Sequence, residues 1–312
     1  MSGPRRASRA ACRVAAATLA ALVGACTPSP GEVPGALPGI PGETVATAPL
    51  SQTVTDDLGR TVILFGRRRD VVATTPALVG ILLALDLTPA GRPAESNDPP
   101  GVLDLPSVGA SVAPNRAVLE ALRPDLVLVE VGVNDDLADS LPGPVYGVDL
   151  SGLAATLDAL AEVGAVVGRT DQAEAQIRSI EADRATAGAV QGSYVVVVGT
   201  PAAWWVAGPD SYQGDLPARL GGTNAAAVGA VRGPGAGWAE ATVAEIARWD
   251  PDAVLAVSLG PDSFRQAILD DPTWSTVQAV ADGRVVGLSD ALYRQGVGSR
   301  TGEALLDLGN LL

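Results

Sequence analysis

Short apolar runs alternate with helical stretches along the chain beyond residue 50. Four such runs in the first half, residues 62–65, 71–74, 126–129 and 145–148, are bounded by Gly, Pro or Asp and predict buried strands. Residues 77–85 and 117–122 have the composition and spacing of helices. Strands separated by crossover helices indicate a mostly parallel sheet that is covered on both faces.

A longer helical region follows at residues 153–166 and 171–187, and the alternation then restarts. Further strands are predicted at 194–198, 205–207, 253–257 and 284–288, with helices near 216–220, 243–248, 263–269 and 301–311. A Pro-Asp turn between a helix and a buried strand occurs once in each half. The pattern predicts an N-terminal α/β lobe at 51–152, a connecting helical segment at 153–190 and a C-terminal α/β lobe at 191–312.

The first 25 residues have the pattern of a signal peptide. Four arginines precede an apolar run at residues 14–23, which is too short to span a bilayer as a mature helix. The run ends in Leu22-Val23-Gly24-Ala25-Cys26, which has the spacing of a lipobox and predicts cleavage before Cys26 with a lipid on its thiol. An ordinary secretory signal with an incidental cysteine is the alternative. Export by the Sec or the Tat route stays open.

Residues 26–50 predict a tether, because they hold six prolines among Gly, Ala and Thr with little that could pack a core. A Pro-rich chain extends by about 3 Å per residue, so the folded part, which begins near Ser51, could stand several nanometres from its anchor. The predicted location is the cell envelope, on the outer face of the cytoplasmic membrane, with the lipid as the only membrane contact.

Composition excludes several classes of function. The 312 residues include 21 arginines, no lysine, no histidine and 35 acids, for a formal charge of −14, which becomes −18 once residues 1–25 and their four arginines are removed. This charge excludes nucleic-acid binding. Without histidine there is no Ser-His-Asp or Cys-His catalysis and no His-ligated zinc. Cys12 would leave with the signal and Cys26 would be acylated, so no disulfide is expected. We predict no enzyme activity, no cofactor and no metal ligands.

Several motifs in order along the chain resemble one family. They are 56–62 (DDLGRTV), 105–109 (LPSVG) followed by Pro114-Asn115, 122–128 (LRPDLVL), 208–215 (GPDSYQGD), 220–224 (LGGTN), 270–274 (DDPTW) and 279–285 (AVADGRV). The chain resembles the substrate-binding lipoproteins of ABC importers for ferric siderophores, cobalamin and haem, the class III periplasmic binding proteins. The resemblance implies two Rossmann-like lobes joined by a single long helix, a ligand cleft between the lobes, and a monomer that docks on an ABC permease.

In that family one acidic residue on each lobe pairs with arginines of the permease. The resemblance places the C-lobe acid at Glu245. The N-lobe acid should follow a proline in a Pro-x-x-x-Glu pattern, but Pro76 leads to Gly80 here. Either the permease has changed with it, another acid substitutes, or the protein no longer feeds a permease.

Candidate ligand-binding residues lie on loops after the predicted strands. They are Glu130, Tyr212, Gln213, Tyr293 and Arg294, with Arg92 as a weaker candidate. Aromatic faces stack and guanidinium groups bind oxygen anions, which suits an amphipathic, partly charged ligand. Packing of the tyrosines and a surface position for the arginines are the alternatives.

The tryptophans are expected to serve mainly packing. Trp204 and Trp205 are adjacent in a strand and should point to opposite faces, so at most one can face a ligand. Trp238, Trp249 and Trp274 are predicted to pack within the lobes.

The predicted function is capture of an iron-siderophore or similar metal chelate and its delivery to an ABC importer. The negative charge of the mature chain favours neutral or cationic chelates. The alternatives are a receptor for cobalamin, for haem ligated by tyrosine or for another coenzyme-like ligand, and a permease-independent envelope lipoprotein that acts as a sensor, scavenger or interaction protein.

Overall fold

Two β-sheets, one in each half of the chain, form the frame of the structure. The computed structural model describes residues 51–227, 235–260 and 263–312. In the first half the elements are β1 (Ser51–Thr55), β2 (Thr61–Phe65), β3 (Val71–Ala73), α1 (Pro76–Ala84), β4 (Gly109–Ala110), β5 (Ala113–Pro114), α2 (Arg116–Leu122), β6 (Leu126–Glu130), β7 (Val145–Val148), α3 (Leu153–Val167) and α4 (Thr170–Thr186).

The second half repeats the α/β alternation with shorter helices. Its elements are β8 (Ser193–Gly199), β9 (Trp204–Ala207), α5 (Tyr212–Asp215), β10 (Thr223–Asn224), β11 (Trp238–Ala239), α6 (Val243–Trp249), β12 (Ala253–Ser258), α7 (Phe264–Asp270), α8 (Gln278–Ala281), β13 (Val285–Leu288), α9 (Asp290–Tyr293) and α10 (Thr301–Leu311). None of the helices in the described ranges is long and apolar enough to cross a membrane.

The N-lobe sheet is parallel, with the strand order β3-β6-β7. Every residue of these strands is buried, as expected for continuous apolar runs covered on both faces. The run at residues 62–65 differs, because β2 pairs with β1 in a separate antiparallel hairpin. Its side chains alternate, with Val62 and Leu64 in the core and Ile63 and Phe65 exposed.

The C-lobe sheet is mixed. The strand order is β11-β9-β8-β12-β13, and β10 also pairs with β8. β8 pairs in parallel with β12 and β10, and β12 pairs in parallel with β13. β9 is antiparallel to both of its neighbours, β8 and β11. The adjacent tryptophans of β9 pack on opposite faces, as predicted. Trp204 contacts Trp274 at 5.1 Å between ring centroids, and Trp205 stacks on Trp238 at 6.5 Å.

Two consecutive helices, rather than one, occupy the connecting segment. α3 ends at Gly168, whose φ of 73° is left-handed, and α4 begins two residues later. α4 has 17 residues and is about 25 Å long. It packs against α3 and α1 from the first half of the chain and against α10 from the second half.

The lobes also meet where residues 295–298 pass across α1. A Cβ built on Gly80 would lie 2.7 Å from the carbonyl oxygen of Gln295 and closer still to that of Val297. Gly80 is buried, so position 80 is not a surface position that lacks a docking charge. The glycine is required there because the backbone of the C-lobe occupies the space that a side chain would need.

Gln295 fastens the same segment to an N-lobe loop. Its Oε1 accepts hydrogen bonds from the backbone N–H groups of Asn97, at 2.7 Å, and Asp98, at 3.0 Å, while its Nε2 donates to Asn97 Oδ1 at 2.6 Å. Arg300 adds an ion pair to Asp98 at 3.2 Å.

We expect Gly80→Ala to destabilise the protein by about 2 kcal/mol or more, because the added methyl group overlaps backbone that cannot rotate away. Gly101→Ala is the control, since a Cβ at Gly101 meets nothing within 4 Å. Urea unfolding of both variants measures the difference. Equal stability of the two would show that the lobes separate easily at α1.

Candidate ligand-binding site

A cavity of about 430 Å³ lies between the lobes. This volume is within the range of small-molecule sites, and most of the cavity wall is apolar. Several wall residues come directly after the carboxyl ends of parallel strands, which is where open α/β folds bind ligands. These residues are Thr75 after β3, Leu150 after β7, Leu259 after β12 and Asp290 after β13.

Four of the six ligand-binding residues predicted from the sequence line this cavity. Glu130 comes from the N-lobe, and Tyr212, Gln213 and Arg294 come from the C-lobe. The structure therefore brings together residues that lie up to 164 positions apart in the chain.

Glu130 is the most perturbed acid of the site. It ends β6 with 9% of its surface exposed, and its Oε2 accepts a hydrogen bond from the Thr75 hydroxyl at 2.5 Å. Burial raises the pKa of Glu130 to about 7, although the Thr75 hydrogen bond and the charge of Arg294 act in the opposite direction. The carboxyl group therefore changes its charge close to neutral pH.

The C-lobe side of the cavity is a hydrogen-bonded aromatic cluster. Gln213 Nε2 donates to the Tyr293 carbonyl at 3.0 Å, and Gln213 Oε1 accepts from Trp238 Nε1 at 3.0 Å. The Tyr212 hydroxyl is bonded to Thr301 Oγ1 at 2.8 Å. Gln213 and Tyr212 are thus held in place by their own lobe. Trp238 was expected only to pack, but it also lines the cavity.

Tyr293 and Arg92 lie outside the cavity wall. Tyr293 is 1% exposed and its hydroxyl donates to Asp307 Oδ2 at 2.7 Å. Burial and the Asp307 carboxylate both raise the pKa of Tyr293 above its usual value. The guanidinium of Arg92 donates to the carbonyls of Pro93 and Leu103. The expectation that these two side chains meet the ligand is not supported by this placement.

The geometry of α9 explains why neighbours in sequence behave differently. Asp290 and Arg294 are four residues apart, so they share one face of the helical turn, which is the face toward the cavity. Tyr293 lies on another face and packs toward α10.

The charges of the wall are mainly acidic among the described residues. Arg294 is paired with Asp290 through two bonds, Nε to Oδ1 at 2.5 Å and Nη2 to Oδ2 at 2.8 Å. The Glu95 carboxylate accepts from the Ser111 amide and hydroxyl. The described wall therefore holds three acids, Glu95, Glu130 and Asp290. Its one arginine, Arg294, is already neutralised by Asp290.

Sequence reasoning missed several wall residues, namely Glu95, Asn97, Ser111 and Asp290. The i, i+4 spacing of Asp290 and Arg294 was a signal that could have identified the pair. Glu95 and Asn97 lie in a loop without periodicity, and nothing in the sequence distinguishes them from other surface residues.

Two α/β lobes around a cavity at their strand ends define a two-lobed binding protein. The family model for periplasmic binding proteins matches residues 71–292, more than half of the chain. The chain belongs to this family, whose members are transport substrate-binding proteins rather than enzymes.

Individual relatives are distant. The chain is similar to the high-affinity heme uptake system protein IsdE of Staphylococcus aureus, with 24% identity over 238 residues, 72% of this chain and 80% of the relative. Solved structures with similar folds include an ABC transporter substrate-binding protein from Listeria monocytogenes (TM-score 0.64, 22% identity, 79% of this chain and 99% of that one). S. aureus SirA complexed with staphyloferrin B is also similar (TM-score 0.63, 16% identity, 83% and 98%).

The pKa of Glu130 predicts a pH-dependent effect of Glu130→Gln. The native pKa lies above the unfolded value, so wild-type stability falls as pH rises from about 4.5 to 7. The glutamine does not ionise and can still accept from Thr75. We expect the variant to match the wild type near pH 4.5 and to exceed it by about 3 kcal/mol at pH 8.

Urea unfolding at both pH values measures this difference. The exposed helix residue Glu181, changed to Gln, is the control and should leave the pH dependence as it is. A constant difference between wild type and Glu130→Gln across this range would mean that Glu130 stays ionised in the folded protein.

Proposed function

We propose that this chain is an extracytoplasmic substrate-binding protein, anchored by a lipid on Cys26, that captures an iron-siderophore or similar metal chelate and delivers it to an ABC importer. The observation that carries the proposal is the cavity between the lobes, walled by residues of both. Membership of the periplasmic binding protein family supports it. So do the ligands bound by two similar S. aureus proteins, haem in IsdE and staphyloferrin B in SirA.

The wall favours a ligand of neutral or positive charge. The described lining has no unpaired arginine, and burying an anion beside Glu95 and Glu130 is unfavourable because no cation compensates it. Apolar surface and Trp238 suit the organic shell of a chelate. The carboxylates of Glu95 and Glu130 suit hydrogen-bond donors or an ammonium group on that shell.

Haem is a poor fit to these residues. Haem iron is held in proteins by His, Met, Tyr or Cys. The chain has no histidine, its one methionine is Met1, and its cysteines are Cys12 and Cys26. Its four tyrosines are all buried, and each hydroxyl is hydrogen-bonded inside the protein. The chain therefore suits a metal that brings its own donor atoms.

For delivery we propose Glu245 as the C-lobe contact with the permease. It lies in the first turn of α6, and its side chain remains 41% exposed. Its Oε2 accepts from the Thr242 amide at 2.8 Å while the Thr242 hydroxyl accepts from the Glu245 amide, which makes a capping box. Hydrogen bonds from Thr242 hold the pKa of Glu245 below its usual value, so the residue carries its charge.

Tryptophan fluorescence tests the ligand class. The probes are ferric chelates that differ in charge, namely a linear trihydroxamate with a free ammonium group, a neutral cyclic trihydroxamate and an anionic tris-catecholate, together with cyanocobalamin and haem. We expect saturable quenching by a cationic or neutral probe, with affinity at least about tenfold above the anionic one. Tightest binding of the tris-catecholate or of haem would contradict the proposal.

Matched tryptophan variants locate the binding event. Trp238→Phe, in the cavity wall, should remove most of the quenching, while Trp249→Phe, outside that wall, should keep it. The reverse pattern would place the ligand elsewhere.

Docking is tested by Glu245→Gln, which removes the charge but keeps an oxygen that can cap α6. We expect impaired chelate uptake in cells that express the variant, with unchanged ligand affinity and unfolding free energy. Glu240→Gln makes the same charge change at a nearby exposed acid and should import normally. Normal uptake with Glu245→Gln would remove Glu245 from the docking surface and favour a permease-independent role.

A further inference from the structure

The exposed face of the β1–β2 hairpin carries apolar side chains with no partner. The strands pair Ser51 with Phe65, Thr53 with Ile63 and Thr55 with Thr61, and all six of these side chains lie on the exposed face. Phe65 is 67% exposed and Ile63 is 52% exposed, among the most exposed large apolar residues of the described chain. A small polar border of Ser and Thr surrounds them.

Arginines follow this face directly, at positions 67–69. Arg68 is used internally, because it donates to the Val166 carbonyl and to Gln52. The exposed side chains of Arg67 and Arg69 make no ion pair within the described ranges. The neighbouring Asp125 is occupied by the backbone N–H groups of residues 69 and 70. Arg67, Arg68 and Arg69 together outnumber the neighbouring acids Asp70 and Asp125, so this surface is locally positive in a chain of charge −14.

The predicted tether enters the fold at this same surface. Residues 27–50 connect Cys26 to Ser51, and Ser51 is the β1 residue opposite Phe65. A lipid on Cys26 would therefore attach the domain to the membrane through this hairpin, although a tether of about 3 Å per residue leaves the domain free to turn. A weak surface attraction is enough to choose among orientations, because the anchor already supplies a high local concentration.

We infer that the hairpin face formed by Ile63, Phe65, Arg67 and Arg69 rests on the anionic surface of the membrane that carries the anchor. The phenyl ring and the isoleucine side chain reach the boundary between headgroups and acyl chains, and the two guanidinium groups bind lipid phosphates. Each arginine at such a surface strengthens contact about fivefold. The contact would fix which side of the binding protein faces away from the membrane. It rests on the lipid-anchor part of the proposed function.

The proposed mature chain has no free thiol, because Cys12 leaves with the signal and Cys26 is acylated. An introduced cysteine can therefore be labelled at a single site. Thr53→Cys, on the exposed face, and Ser275→Cys, exposed on the C-lobe, each provide one free thiol for an environment-sensitive fluorophore. The labelled full-length lipoprotein is reconstituted into vesicles of equal parts phosphatidylglycerol and phosphatidylcholine that contain a doxyl-labelled lipid as quencher.

We expect strong quenching at position 53 and little at position 275. The double variant Ile63→Ser, Phe65→Ser should abolish the difference in quenching between the two positions. The double variant Arg67→Ser, Arg69→Ser should weaken membrane contact of the hairpin about tenfold or more. Replacing phosphatidylglycerol by phosphatidylcholine should have the same effect. The matched control, Arg184→Ser with Leu311→Ser, removes an exposed arginine and an exposed leucine elsewhere and should change nothing.

Equal quenching at the two positions would overturn the inference. A second contrary result would be burial of the label at position 53 without vesicles, increasing with protein concentration. That result would identify a second copy of the chain as the partner of this face. Failure of the anchor is a separate result, because the wild-type lipoprotein would then lack the acyl mass and would not float with the vesicles at all.

Discussion

The close contact between α1 and residues 295–298 is the constraint on which the binding site depends. Gly80 lets the C-lobe backbone lie against α1, and Gln295 fastens that backbone to the Asn97 loop. Arg294, which precedes this contact, and Val297, which lies within it, are themselves part of the cavity wall. The lobes are therefore held at a spacing that leaves a cavity of small-molecule size, and α4 alone does not have to fix their relative position.

The charges of the cavity wall bear directly on the proposed ligand class. Asp290 neutralises Arg294, and burial raises the pKa of Glu130 to about 7, so its carboxyl group is partly ionised near neutral pH. The wall can accept a neutral or cationic shell without leaving a buried charge unpaired, whereas an anion would meet further anions. The buried tyrosines agree with this picture, because the hydroxyls of Tyr212 and Tyr293 are hydrogen-bonded inside the protein and are not free to ligate a haem iron.

Much of the fold could be predicted from the sequence. The parallel strands are continuous apolar runs, and α10 has the bounds expected from its periodicity. Strands of two residues carry no period, so β11 was missed and with it the place of Trp238 in the cavity. Gly80 suggested a lost docking charge because its packing partner is more than 200 residues away. Arg294 faces the cavity and Tyr293 does not, because they lie on different faces of a helical turn. The sequence predicted a loop at this point, and a loop has no faces to distinguish.

The ligand that the cavity holds in the cell can be identified without choosing a candidate beforehand. Native mass spectrometry of the protein, purified from the envelope of the cells that make it, reports the mass and metal of the bound ligand. We expect a one-to-one complex with an iron chelate of neutral or positive charge, which is lost when Glu130 and Trp238 are both substituted. A complex with haem, or with an anionic chelate that survives those substitutions, would contradict this expectation.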